Sequence, residues 1–117
     1  MHEEAIAEIG KAIALSRGNI RALATLGHAY AASGKRDQAL RMVADLEKLS
    51  KQKYVSPYFI AVIYSGLGEK NQAFHWLELA YQERHPYMVL LNVEPVFDPL
   101  RSDLRFAELV RRVGRPS

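Results

Sequence analysis

The 117-residue chain predicts an all-α fold, an α-α superhelix of antiparallel helix pairs with a C-terminal capping helix. Three observations predict it. The sequence resembles itself when shifted by 34 residues. Each period holds two stretches with apolar residues at helical spacing. Asparagine, serine, proline and glycine fall where such helices must start and stop.

The shift places Tyr30 on Tyr64, Gly34 on Gly68, Gln38 on Gln72 and Ala39 on Ala73. Leu26 meets Ile60, Gly27 meets Ala61, and Val43 meets Leu77. Shifted the other way, Ala5 falls on Ala39 and Ile9 on Val43. What recurs is side-chain size at each place, which is what packing requires.

In chain order, Glu3 to Ser16 matches only the second helix of a period, with Arg17-Gly18-Asn19 as the turn that follows. Its partner helix is missing, so the chain is either a piece of a longer array or begins there. Ile6, Ile9 and Ile13 then form an apolar flank that would self-associate into a homodimer or accept a partner helix. The next helix runs from Ile20 to Ser33, capped by Asn19 and stopped by Gly34. Asp37 opens its mate, with Ala39, Leu40, Val43, Leu46 and Leu49 as an apolar stripe. Ser56-Pro57 is a cap followed by proline at the first helical position. Ile60, Ala61 and Tyr64 follow, and Gly68 ends that helix. Asn71 opens the next, with Ala73, Trp76, Leu77 and Ala80 inward. Gly27, Ala61, Ala39 and Ala73 are small where helices must approach closely, so a bulky residue at Ala39 or Ala73 would cost about 1–3 kcal/mol.

The tail departs from the repeat. Tyr87 to Val93 is apolar enough for a buried helical turn or two, and Glu94-Pro95 and Asp98-Pro99 should break regular structure. Ser102-Asp103 caps a final helix with Leu104, Phe106, Leu109, Val110 and Val113 as its apolar residues. The tail would lie on the last repeat and close the core. The division is residues 3–18 as a partial repeat, 19–53 and 54–86 as full repeats, and 87–117 as tail, in one domain.

The run Leu23, Leu26, Gly27, Tyr30, Gly34, Ala39, Val43, Leu46, repeated as Pro57, Ile60, Ala61, Tyr64, Gly68, Ala73, Leu77, Ala80, resembles the tetratricopeptide repeat. Pro57 and Leu46 depart from that motif, as does Lys51, where the family closes with proline. The resemblance implies a right-handed solenoid whose first helices line a concave, partner-binding groove. The ending Phe97-Asp98-Pro99-Leu100-Arg101-Ser102-Asp103, then Arg105-Phe106 and Leu109 to Gly114, looks like that of many bacterial tetratricopeptide regions. Those regions are attached to signalling kinases, winged-helix regulators or cyclases. Leu104 stands where that ending commonly has proline.

Composition narrows the function classes. The absence of cysteine excludes disulfides, thiolate metal sites and cysteine nucleophiles. The acidic start, Met1-His2-Glu3-Glu4, lacks the form of a secretory signal, and no apolar run approaches the roughly 20 residues that span a bilayer. A cytoplasmic protein is expected. His2, His28, His75 and His85 have no metal-ligand spacing, and no phosphate-loop or nucleophile motif occurs. The chain therefore reads as a non-enzyme with no cofactor and no metal.

The net charge of +3 invites a nucleic-acid partner. Only the C-terminal end is lopsided, with Arg101, Arg105, Arg111, Arg112 and Arg115 against Asp103 and Glu108, and cations suit a helix C-terminus. Nucleic acid is therefore disfavoured as a partner, an accessory nucleic-acid-binding domain of a regulator being the alternative, and a protein or peptide is expected. The groove candidates are Arg21, Thr25 and His28 from one repeat and Val55, Tyr58, Phe59 and Val62 from the next. Arg21 and His28 are those able to touch an anion. Tyr58, Phe59 and Val62 form an apolar patch, open either to a partner segment or to cover by the tail or a second copy.

Overall fold

The computed structural model describes residues 19–114. Among them are five α-helices: α1 (Ile20–Ala32), α2 (Arg36–Leu49), α3 (Pro57–Leu67), α4 (Lys70–Gln82) and α5 (Leu104–Val113). Two 3-10 helices, Pro86–Leu90 and Pro95–Leu100, link α4 to α5. No strand occurs among the described residues. The fold is all-α, as expected.

Local chemistry sets the helix ends. The Asn19 side chain accepts the Ala22 N–H at 3.0 Å, and the Ser56 hydroxyl accepts the Tyr58 N–H at 3.2 Å. Each answers one of the amide donors that a helix start leaves without a partner. Gly34 and Gly68 both adopt left-handed backbone, at φ 78° and 73°. That conformation lets the chain turn back and donate Lys35 N–H to Tyr30 O at 2.8 Å and Glu69 N–H to Tyr64 O at 3.1 Å. Because these turns are so tight, α2 and α4 begin one residue before Asp37 and Asn71. Their cap positions, Lys35 and Glu69, make no side-chain cap bond.

The small residues sit where expected. Ala39, Ala61 and Ala73 have no exposed surface, and Gly27 is buried between Met42 of α2 and Ile63 of α3. α1 packs on both α2 and α3, and α3 packs on α4. One core gathers Leu23, Met42, Val43, Leu46, Ile60 and Ile63. A second gathers Tyr58, Ala61, Phe74, Leu77 and Ala80 with the tail residues Met88, Phe97 and Phe106. Tyr64 and Trp76, each half-buried, touch both cores and so tie the pairs together.

The tail closes the second core, but by a different route from the one its prolines suggest. Pro95 starts a 3-10 helix that contains Pro99, rather than ending regular structure. Proline at a helix start loses no needed N–H, and short 3-10 segments use few bonds. Of the apolar run 87–93, only Met88 and Leu91 are buried; Val89 and Val93 are 75% and 67% exposed. A three-residue turn projects its side chains in three directions, so an apolar run of that length cannot bury them all. Leu104 is likewise 87% exposed rather than part of the apolar face. It is the first residue of α5, while Phe106 and Leu109 carry the buried stripe.

Candidate functional site

α1 and α3 lie side by side, the Pro95–Leu100 3-10 helix packs on α3, and Tyr87 of the tail meets Arg21 of α1. The tail is fixed on α3 by Ser65, a fully buried serine of that helix whose hydroxyl donates to the Val96 carbonyl at 2.7 Å. Phe97 then inserts below, with no exposed surface, and its ring meets Tyr58 edge-on at 5.5 Å.

This placement decides the fate of the apolar patch. Tyr58 and Val62 are 5% and 7% exposed because the tail lies over them, so they are floor rather than open anchors. Burial, with the Glu94 charge adding, pushes the Tyr58 hydroxyl up to about 12, so it stays protonated at neutral pH. Val55 is equally buried but belongs to the first core, away from the patch. Phe59 remains half-buried. Its ring stands edge-on to Tyr58 at 5.6 Å and to Tyr87 at 5.9 Å. His85 completes the cluster, stacked on Tyr58 at 5.6 Å, with its Nδ1 accepting the Tyr87 N–H at 3.3 Å.

What is left open is a cleft of about 250 Å³ between α1, α3 and the tail. Phe59, Tyr87 and Leu90 give it apolar walls, and Arg21 and Glu94 stand along it. The Arg21 guanidinium lies over the Tyr87 ring at 5.9 Å. Thr25 lines the cleft, and its hydroxyl donates to the Arg21 carbonyl at 2.9 Å. His28 is not in the cleft lining. It sits against Gly66 with a backbone hydrogen bond to Val96, and burial lowers its pKa below the ordinary imidazole value. It steadies the tail instead of meeting an anion.

Of the groove candidates, the structure brings Arg21, Thr25 and Phe59 together at the cleft over Tyr58 and Val62, and sets His28 and Val55 outside its lining. Tyr87, Leu90, Glu94 and Val96, the opposite wall, were absent from the expected set. The apolar run 87–93 was their signal; nothing in helical spacing says which helices a non-repeating tail will cross. The flank residues Ile6, Ile9 and Ile13 lie outside the described residues.

The basic end is largely neutralised in place. Arg101 pairs with Asp98 at 2.6 Å, Arg105 with Asp103 at 2.8 Å, Arg112 with Glu78 at 2.5 Å, and Arg111 with Glu108. Arg105 also lies over Phe74 at 4.5 Å and Arg112 over Tyr81 at 4.9 Å. Arg105 and Arg112 thereby fasten α5 to α4. The Asp103 carboxyl is held down to about 2 by its bonds from Arg105. Arg115 lies outside the described residues. No helix among the described residues is long and apolar enough to cross a membrane.

Residues 1–56 match the family model of the tetratricopeptide repeat. Neither a curated protein nor a solved structure matches the chain.

Proposed function

We propose that this chain, a tetratricopeptide-repeat protein by its matched residues 1–56, is a non-catalytic scaffold that holds a segment of a partner protein in the cleft between α1, α3 and the tail. The observation that carries the reading is the build of the cleft. Two walls from distant parts of the chain leave apolar ring surface open between charges of opposite sign, Arg21 and Glu94. A space of about 250 Å³ is small beside a cofactor site but takes one large side chain. Phe59 and Tyr87 would pack that side chain, while Arg21 and Glu94 orient the peptide on either side of it. The walls are held in advance by Ser65, Phe97 and the aromatic cluster, so the partner alone bears the ordering cost.

The likeness of the C-terminal run, Phe97 to Asp103 and onward, supports a place in a larger bacterial signalling protein of the cytoplasm. Self-association through Ile6, Ile9 and Ile13 is the alternative use of the scaffold, and light scattering at several concentrations separates the two.

The direct test selects peptides from a random displayed library on the full chain, then measures their affinity for Phe59→Ala and Arg21→Glu variants. Loss of roughly tenfold in affinity with Phe59→Ala at an unchanged fold, and a reversed charge preference with Arg21→Glu, are expected. Selected peptides that bind both variants as well as the parent chain would place the site elsewhere.

A further inference from the structure

A second recess lies on the far side of His85, between the end of α4, the Pro86–Leu90 3-10 helix and the end of α5. It encloses about 380 Å³. Tyr81, Met88 and Val113 give it apolar surface, and two arginines stand in it: Arg84, and Arg112, which is paired with Glu78. No aspartate or glutamate lines it. Glu83, next in the chain, bonds the Tyr54 hydroxyl instead, and Glu78 is held by Arg112 at 2.9 and 2.5 Å.

Arg84 is the unusual member. It occupies left-handed backbone at φ 56°, the only non-glycine among the described residues at positive φ. Its turn is built like those at Gly34 and Gly68: Arg84 N–H donates to Tyr81 O at 3.0 Å and His85 N–H to Ala80 O at 3.1 Å. At the other two such turns the chain uses glycine, which takes this conformation without steric cost. Here it carries a strained arginine instead. Unlike Arg101, Arg105, Arg111 and Arg112, Arg84 has no carboxylate partner among the described residues.

We infer that this recess is a second binding site, and that it takes an acidic-apolar polypeptide segment. One large apolar side chain of the segment fills the space over Tyr81, Met88 and Val113, and a neighbouring carboxylate pairs with Arg84. Charge selects the class: Arg84, with no carboxylate partner among the described residues and no acidic side chain in the lining, repels a basic segment and favours an acidic one. Arg84 lines the recess and is exposed, where a glycine would give a sounder turn and no charge. The site shares no lining residue with the Phe59 cleft, so the two readings stand or fall separately.

The probe is a blocked peptide of alternating leucine and glutamate, titrated into the full isotope-labelled chain with amide shifts as readout. Shifts should centre on Met88 and Val113 and leave Phe59 unmoved. The lysine-for-glutamate peptide should not bind. Arg84→Gly should weaken binding roughly fivefold, the scale of one half-exposed ion pair. The same substitution relieves the turn and should raise Tm by roughly 2–5 °C, so weaker binding cannot be put down to unfolding. No binding of the acidic peptide, equal binding of the lysine peptide, shifts centred on the Phe59 cleft, or an Arg84→Gly chain that binds within twofold of the parent would each overturn the assignment.

Discussion

Gly27 of α1 and Ile63 of α3 meet so closely that a methyl group on Gly27 would lie 2.6 Å from Ile63 Cδ1 and 2.8 Å from Cγ1. Ile63 has no exposed surface and cannot swing away. Two effects oppose each other in Gly27→Ala. Alanine gains about 1 kcal/mol of helix propensity over glycine. Overpacking against a fixed neighbour costs about 1–3 kcal/mol. Contacts this short favour the cost, so a net loss of about 1 kcal/mol or more in urea unfolding is expected. Adding Ile63→Val, which removes Cδ1, should recover part of it. An additive double variant would show that the clash is relieved elsewhere.

Ser65→Ala tests the fastening of the tail. The substitution leaves the Val96 carbonyl without the 2.7 Å bond it accepts from a fully buried hydroxyl. His28 still bonds the Val96 backbone, so the expected loss is that of one net hydrogen bond, about 0.5–1.5 kcal/mol. Hydrogen exchange should rise first in residues 86–100, before α1 and α2, because the buried residues of the tail belong to the second core and not to the first.

Much of this fold is legible in the sequence, and for a physical reason. Within a repeat, packing is local: Gly27, Ala39, Ala61 and Ala73 must be small, and Gly34 and Gly68 must permit left-handed turns, so the pattern recurs every 34 residues. The tail has no period to read. Whether Tyr58 and Val62 face a partner or lie under Phe97 depends on a long-range contact that spacing does not encode. Met42 and Phe74 are buried as deeply as the expected stripe and were missed beside it. Each adjoins the expected stripe, which is wide because its helix meets more than one neighbour.

Acid should weaken the protein in two stages. Burial holds His28 and His85 below the ordinary imidazole value of 6.5; a Val96 hydrogen bond opposes the shift at His28, and the Glu83 charge opposes it at His85. A lowered folded pKa means that the unfolded chain takes up protons first. Stability is therefore full above 6.5 and falls as pH drops below it, towards and through the folded values. Protonation also ends the acceptance of the Tyr87 N–H by His85 Nδ1. The second stage begins near 4.5, as Glu78 and then Asp103 lose the charges that bind Arg112 and Arg105. Urea midpoints measured from pH 8 to 3 should show both falls. The His28→Gln, His85→Asn double variant should flatten the first and keep the second. A single fall below 4.5 in the parent chain would mean that His28 and His85 contribute nothing.

Leu104→Pro should be tolerated, although proline inside a helix costs about 3 kcal/mol. Leu104 is the first residue of α5, where proline's fixed φ suits the helix and its missing N–H is not needed. The side chain is 87% exposed, so almost no packing is lost. The residue before a proline must be extended, and Asp103 already is, at φ −86° and ψ 133°. Its carboxylate caps the Arg105 N–H at 2.9 Å, one residue further on, and that bond survives. With nothing lost in the folded state, the stiffer unfolded chain should leave a gain of about 0.4–1 kcal/mol. The same substitution at Phe106, two residues along and 3% exposed, should unfold α5. A lowered Tm for Leu104→Pro would mean that α5 starts before Leu104, and the cap assigned to Asp103 would then be wrong.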